Sequence, residues 1–99
     1  MSEEIISIIG TSEEDVLNWL KNYVISALSI SENEFSEIDQ LDHIGMDSVE
    51  ITIMAGMIEE QYDIEMNLAN IVENPTAVKL AKYISLKLAS KANNGDNNV

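Results

Sequence analysis

Asp47 and Ser48 are the residues whose types and spacing could do chemistry. They lie in the polar turn Gly45-Met46-Asp47-Ser48-Val49-Glu50, which opens straight into the most apolar run of the chain. Asp47 is a good helix N-cap, Glu50 follows three positions later as in a capping box, and Gly45 can take the backbone angles that a sharp turn demands. Ser48 then falls in the first helical turn, where amide groups lack partners and the helix dipole is positive. A phosphate ester on its hydroxyl would be electrostatically welcome there. The same residues could also serve only as a cap. A hydrolase built on Ser48 and His43 would need a positioned base and an oxyanion site in a cleft. The two residues stand five apart on one loop of a 99-residue chain, which is too small for such a cleft.

The helix that carries Ser48 bears two apolar faces. Successive helical residues are about 100° apart, so Ile51, Met54, Ala55, Ile58 and Tyr62 share one face, which is the expected core. Val49, Ile53 and Met57 recur at i, i+4 and i+8 on nearly the opposite side, where a simple amphipathic helix would be polar. Either another element or a partner must cover this second stripe. Glu50, Glu59 and Glu60 flank it as the polar rim of an interface would.

Composition narrows the classes. The length suits a single small domain with one core. Five basic residues against eighteen acidic ones give a net charge of -13, which argues against nucleic acid and anionic membranes and for basic protein partners. There is no cysteine, hence no disulfide or thiolate metal site. Neither a signal peptide nor a membrane span is indicated, so a cytoplasmic location is expected.

Residues 1–10 hold one short apolar run, Ile5-Ile6-Ser7-Ile8-Ile9, read as an N-terminal extension that could dock, cover the core or fray. Thr11 and Ser12, each with an acid three residues on, start a first helix whose apolar face is Val16, Leu20, Tyr23, Val24 and Ala27, widened by Leu17 and Leu28. Trp19, at its edge, reads as a partly buried packing residue. Residues 31–47 lose the helical period and form a long ordered loop anchored by Phe35, Ile38, Leu41 and Ile44. Loops of that length inside a compact domain are usually functional. Asp39 and Glu50 occupy the first and twelfth places of a possible calcium loop, but Leu41 and His43 stand at the third and fifth places and the glycine comes one position late, so the oxygen ligands are missing. His43, the sole histidine, reads as a solvated loop residue.

After the Ser48 helix, Asn67 can cap a short segment from Leu68 to Val72. Asn74-Pro75 then reads as N-cap and first position of a last helix with the apolar face Ala77, Leu80, Ala81, Ile84 and Leu88. The stretch Lys91–Val99 reads as a disordered tail, which leaves residues 11–90 as the domain.

Three substantial helices, a short third one before the last, and a long first loop delivering Asp47-Ser48 make an all-α four-helix bundle. This order resembles the acyl and peptidyl carrier protein family over roughly residues 12 to 90. The resemblance rests on Leu41-Asp42-His43-Ile44-Gly45-Met46-Asp47-Ser48-Val49-Glu50, on Glu59-Glu60-Gln61-Tyr62 and on Asn74-Pro75-Thr76. It implies that a phosphopantetheinyl transferase attaches 4′-phosphopantetheine from coenzyme A to Ser48, making the chain a phosphoprotein, and that the arm carries an acyl or aminoacyl thioester. The chain is then not a catalyst. Asp47 would be the family's aspartate before the serine. Val49, Glu50, Ile53, Met57, Glu59 and Glu60 would face partners: the transferase, an adenylating or acyl-loading enzyme, and downstream synthase or transferase enzymes.

Two positions depart from the pattern of many fatty-acid carriers. Ile53 stands where those carriers have an acid, and Gly56 interrupts the helix at a cost of about 1 kcal/mol relative to alanine. Both suggest a stand-alone carrier of a polyketide or nonribosomal peptide type of pathway with its own enzymes; a monomer is expected. A fatty-acid synthesis carrier and, in a different class, an acidic helical adaptor without a prosthetic group are the alternatives.

Overall fold

The computed structural model describes residues 12–97, with side-chain surroundings given through Lys91. The Ile5–Ile9 run and the Thr11 cap lie outside them. Five α-helices follow in order: α1 Glu13–Leu28, α2 Leu41–Ile44, α3 Ser48–Tyr62, α4 Leu68–Glu73 and α5 Ala77–Asn97, with one 3-10 turn at Glu32–Glu34. Helices α1, α3 and α5 are the long members, α4 is the short one before the last, and α2 lies within the first loop. This is the expected helical bundle.

Helix α1 begins where its cap signal says it should. The Ser12 hydroxyl accepts from the Asp15 amide, and Glu13, Glu14 and Asp15 place negative charge on the positive end of the dipole. The helix ends at Ser29, which turns into the left-handed region at φ 55. Val16, Leu20 and Val24 are buried, whereas Ala27, expected on the same face, is exposed. At the edge of that face Trp19 is half-buried, stacking on Tyr23 at 5.5 Å and meeting Tyr62 edge-on at 5.8 Å, so α1 and α3 are joined by an aromatic seam.

The core gathers Val16, Leu20 and Val24 of α1, Met54, Ala55 and Ile58 of α3, Ile71 of α4, and Leu80, Ala81 and Ile84 of α5. It is completed by Leu41, Met46 and Met66 from the connecting segments. Ile51 and Tyr62, also expected on the core face of α3, pack half-buried against it.

Three expectations change. Asn74-Pro75 does not start the last helix: the Thr76 hydroxyl caps it, accepting from the Lys79 amide at 3.1 Å, and the helix begins at Ala77. Pro75 instead lies before the helix, where its carbonyl oxygen accepts from the Leu41 amide at 2.8 Å and Thr76 bridges Gln40. The expected loop over 31–47 contains its own short helix and 3-10 turn; of its expected anchors Leu41 is buried and Phe35 and Ile44 pack half-buried against the core, Met46 adds a buried one, and Ile38 is 73% exposed. The third change is at the C-terminus: α5 runs on through Asn97, where composition predicts a disordered tail from Lys91. Extending a formed helix is far easier than nucleating one, and no proline stops it. Lys91 also has a partner, donating to the carbonyl and the carboxylate of Asp63.

Candidate functional site

Three backbone bonds, two to the start of α5 and one within the first loop, aim Ser48. The Val78 amide donates to the Glu37 carbonyl and the Leu41 amide to Pro75, which fixes the loop against the start of α5. Leu41 then plugs into the core and starts the four-residue helix α2. That helix is closed at Gly45, where φ is 127 and a side chain would be strained. A Cβ at Gly45 would also sit 3.4 Å from a methyl carbon of Leu28. Met46, fully buried, is the second plug; its amide donates back to the Leu41 carbonyl. With residues 41 and 46 both anchored, Asp47 has little freedom and caps α3.

The Asp47 carboxylate accepts from the Glu50 amide at 2.9 Å. The return bond of a capping box, in which the Asp47 amide would donate to the Glu50 carboxylate, is not among the bonds made by the described residues. The Glu50 side chain lies half-buried near Tyr23 of α1 instead; burial raises the Tyr23 pKa, and the Glu50 carboxylate raises it further. Ser48 is the first residue of α3 and is exposed. Its carbonyl accepts from the Thr52 hydroxyl, while its own hydroxyl makes no hydrogen bond among the described residues. As the first two residues of the helix, Ser48 and Val49 present amides with no place in the helical ladder. A phosphodiester on Ser48 therefore finds a free oxygen to hang from, two donors beside it and the positive end of a helix dipole. The residues present fit the group.

The second stripe is open to solvent. Val49 is 64% exposed, Ile53 51% and Met57 41%, while Met54 and Ile58 on the other side of the same helix are fully buried. Glu60 is exposed beside the stripe. Glu59, expected only as a rim residue, is exposed too but has a structural task, accepting from the Met66 amide at 2.9 Å and so fixing the turn between α3 and α4. That turn is tightened by Asp63, left-handed at φ 56, whose carboxyl pKa is lowered by the hydrogen bond and then by the charge of Lys91.

On the side of α3 away from the stripe lies a feature that sequence reasoning missed. Leu41, Ile51, Ile71, Val72 and Pro75, with Gln40 and Asp42 at the polar side, line a cleft of about 290 Å³. Ile51 is one turn along α3 from Ser48. The lining comes from three distant segments, so no local pattern could have revealed it. His43 is exposed, as expected, and among the described residues no cluster of histidine and carboxylates could hold a metal ion. No helix of the described residues is long and apolar enough to cross a membrane.

Comparison with known proteins agrees with this geometry. The family model described as phosphopantetheine attachment site matches residues 18–84. Among solved structures, the chain is similar to the HMG-ACPI domain from the CurA module of Lyngbya majuscula, with a TM-score of 0.76, 23% identity, and 83% of each chain covered. It is also similar to a free-standing peptidyl carrier protein from an uncharacterized Acinetobacter baumannii secondary metabolic pathway, with a TM-score of 0.74 and 17% identity, covering 79% of this chain and 98% of the other. At these identities the likeness is one of fold. No curated protein matches the chain. The family match spans α3 and the loop that positions it, and the chain therefore belongs to the phosphopantetheine attachment site family, non-catalytic carrier proteins whose prosthetic group is 4′-phosphopantetheine.

Proposed function

We propose that Ser48 is the attachment residue and that the protein is a monomeric, cytoplasmic carrier of a polyketide or nonribosomal peptide type of pathway. The observation that carries this reading is the exposed, unbonded Ser48 hydroxyl at the Asp47-capped start of α3. When bound, the arm supplies a thiol on which an acyl or aminoacyl group is held as a thioester. The protein's own residues do the rest: Asp47 fixes the helix start, the first-turn amides would be the donors available to the phosphate, and the Leu41 and Met46 plugs hold the turn still. The apolar cleft beside Ile51 can shelter a short apolar part of the arm or its cargo.

Partners are recognised on the other side of α3. A transferase, a loading enzyme and a downstream synthase would in turn cover Val49, Ile53 and Met57, with Glu50, Glu59 and Glu60 steering basic surfaces toward them. Met57 adapts its shape to successive contacts. Ile53 and Gly56 on this face favour enzymes dedicated to one pathway over those of fatty-acid synthesis.

Incubating the protein with coenzyme A and a promiscuous phosphopantetheinyl transferase, then measuring intact mass, tests the reading. The unmutated chain is expected to gain one phosphopantetheine and Ser48→Ala none, with both folded by circular dichroism. Conversion of the Ser48→Ala variant would refute the assignment, and no conversion of either would favour an adaptor without a prosthetic group.

A further inference from the structure

Charge in this protein is segregated. Four of the five basic residues, Lys79, Lys82, Lys87 and Lys91, fall within Ala77–Lys91, a stretch with no acid, while the rest of the chain holds all eighteen acids and one lysine. Lys91 is committed to Asp63. Lys79, Lys82 and Lys87 make no salt bridge among the described residues, although the chain is rich in carboxylates.

At 100° per residue, Lys79, Lys82, Tyr83, Leu86 and Lys87 share the outer side of α5, opposite the buried Leu80, Ala81 and Ile84. Leu86 is 59% exposed at the centre of this side, Tyr83 is half-buried, and the Lys87 ammonium lies 5.7 Å from the Tyr83 ring centroid. The helix itself gives no reason for the arrangement. A helix dipole favours cations near the C-terminus, whereas Lys79 and Lys82 stand in the first two turns, where acids belong. An apolar centre ringed by unpaired cations has the make-up of an interface for an anionic surface.

We propose that the outer face of α5 is a second docking surface, separate from the Ser48 end, for a partner protein presenting an acidic helix with an apolar stripe. Its chemistry is the reverse of the α3 face, where acids flank Val49, Ile53 and Met57. A carrier with two such faces can be held by one protein through α5 while the Ser48 end visits others. An anionic membrane is the poorer occupant, because a broad anionic surface meets the field of the whole chain, with its net charge of -13, whereas a single acidic helix meets only the face that carries the three lysines. A second copy of the chain carries the same repulsion.

The test does not depend on Ser48. The full-length apo protein, labelled with ¹⁵N, is titrated at low salt with a synthetic amphipathic helical peptide whose glutamates flank a leucine stripe. The lysine counterpart of that peptide and phosphatidylserine vesicles serve as controls. The acidic peptide is expected to shift the amides of Lys79, Lys82, Tyr83, Leu86 and Lys87 and to weaken with added salt. K79E/K82E/K87E should weaken its binding at least tenfold, and Leu86→Ser should weaken it at unchanged charge. Transferase conversion of both variants should equal that of the unmutated chain. The lysine peptide should shift Val49, Ile53 and Met57 instead. The proposal is overturned if the acidic peptide leaves α5 unshifted, or if its binding survives both variants. Binding to the vesicles without a response to the peptide would also overturn it, as would self-association in sedimentation that the variants abolish.

Discussion

Two sides of one helix teach opposite lessons. On α3, Met54 and Ile58 are fully buried and hold the bundle together, while Val49, Ile53 and Met57, of similar hydrophobicity, face water. Hydrophobicity alone does not distinguish them; angular position does. The inner side makes the fold, because burying it is what orders the chain. Folding gains nothing from the outer side, which is therefore free to serve contacts made later.

The largest effect should come from breaking the inner side. Met54→Ala removes most of a fully buried side chain and should cost about 2–5 kcal/mol, measured by chemical denaturation. A loss below about 1 kcal/mol would mean that the inner side is not packed as described. The capped start of α3 comes next. Asp47→Ala frees the Glu50 amide and should cost about 1 kcal/mol. Because it also loosens the turn that carries Ser48, conversion by the transferase should slow while the folded fraction stays high.

Gly56 sharpens the contrast from the outer side. A Cβ there would meet nothing within 4 Å, so the glycine has no packing reason in the free protein and only weakens the helix. Gly56→Ala should stabilise by about 1 kcal/mol. If a partner approaches α3 closely at this point, the same variant should lose transfer to that partner while its melting temperature rises. A fall in melting temperature would show that the outer side is packed after all.

The same contrast explains what is legible in the sequence. Periodicity and caps are local signals, so Ser12, Asp47 and Asn67 announce their helices, and residue spacing alone separates the two sides of α3. Asn67 caps α4 as expected, accepting from the Asn70 amide. The loop from Ser31 to Asp47 has no period. Nothing local marks Met46 as a fully buried plug or shows that Ile38, with the same kind of side chain as its neighbour Leu41, faces solvent.

Long-range bonds are invisible for the same reason. Asparagine and proline favour helix starts, so Asn74-Pro75 reads as the N-terminus of α5. The Leu41 amide, far away in sequence, claims the Pro75 carbonyl and moves the cap to Thr76. Similarly, Lys91 reads as the start of a polar tail, yet Asp63 holds it. The turn at Asp47-Ser48 reads from sequence as a capped helix start, and as the proposed attachment point only together with Glu59-Glu60-Gln61-Tyr62 and Asn74-Pro75-Thr76, whereas the frame that holds the turn exists only in the fold.

The measurement that reaches the centre of this account compares Ile53→Glu with Ile58→Glu in the same denaturation experiment, followed by transferase conversion of each. Ile53→Glu adds a charge on the exposed side. It should shift stability by no more than about 0.5 kcal/mol, yet slow conversion of Ser48. Ile58→Glu buries a charge in the core and should cost several kcal/mol or unfold the protein. Equal, large losses at both positions would contradict the account, because α3 would then be a helix buried on all sides. A stable Ile53→Glu that is converted as fast as the unmutated chain would contradict it too, because the outer side would then not be where the transferase binds.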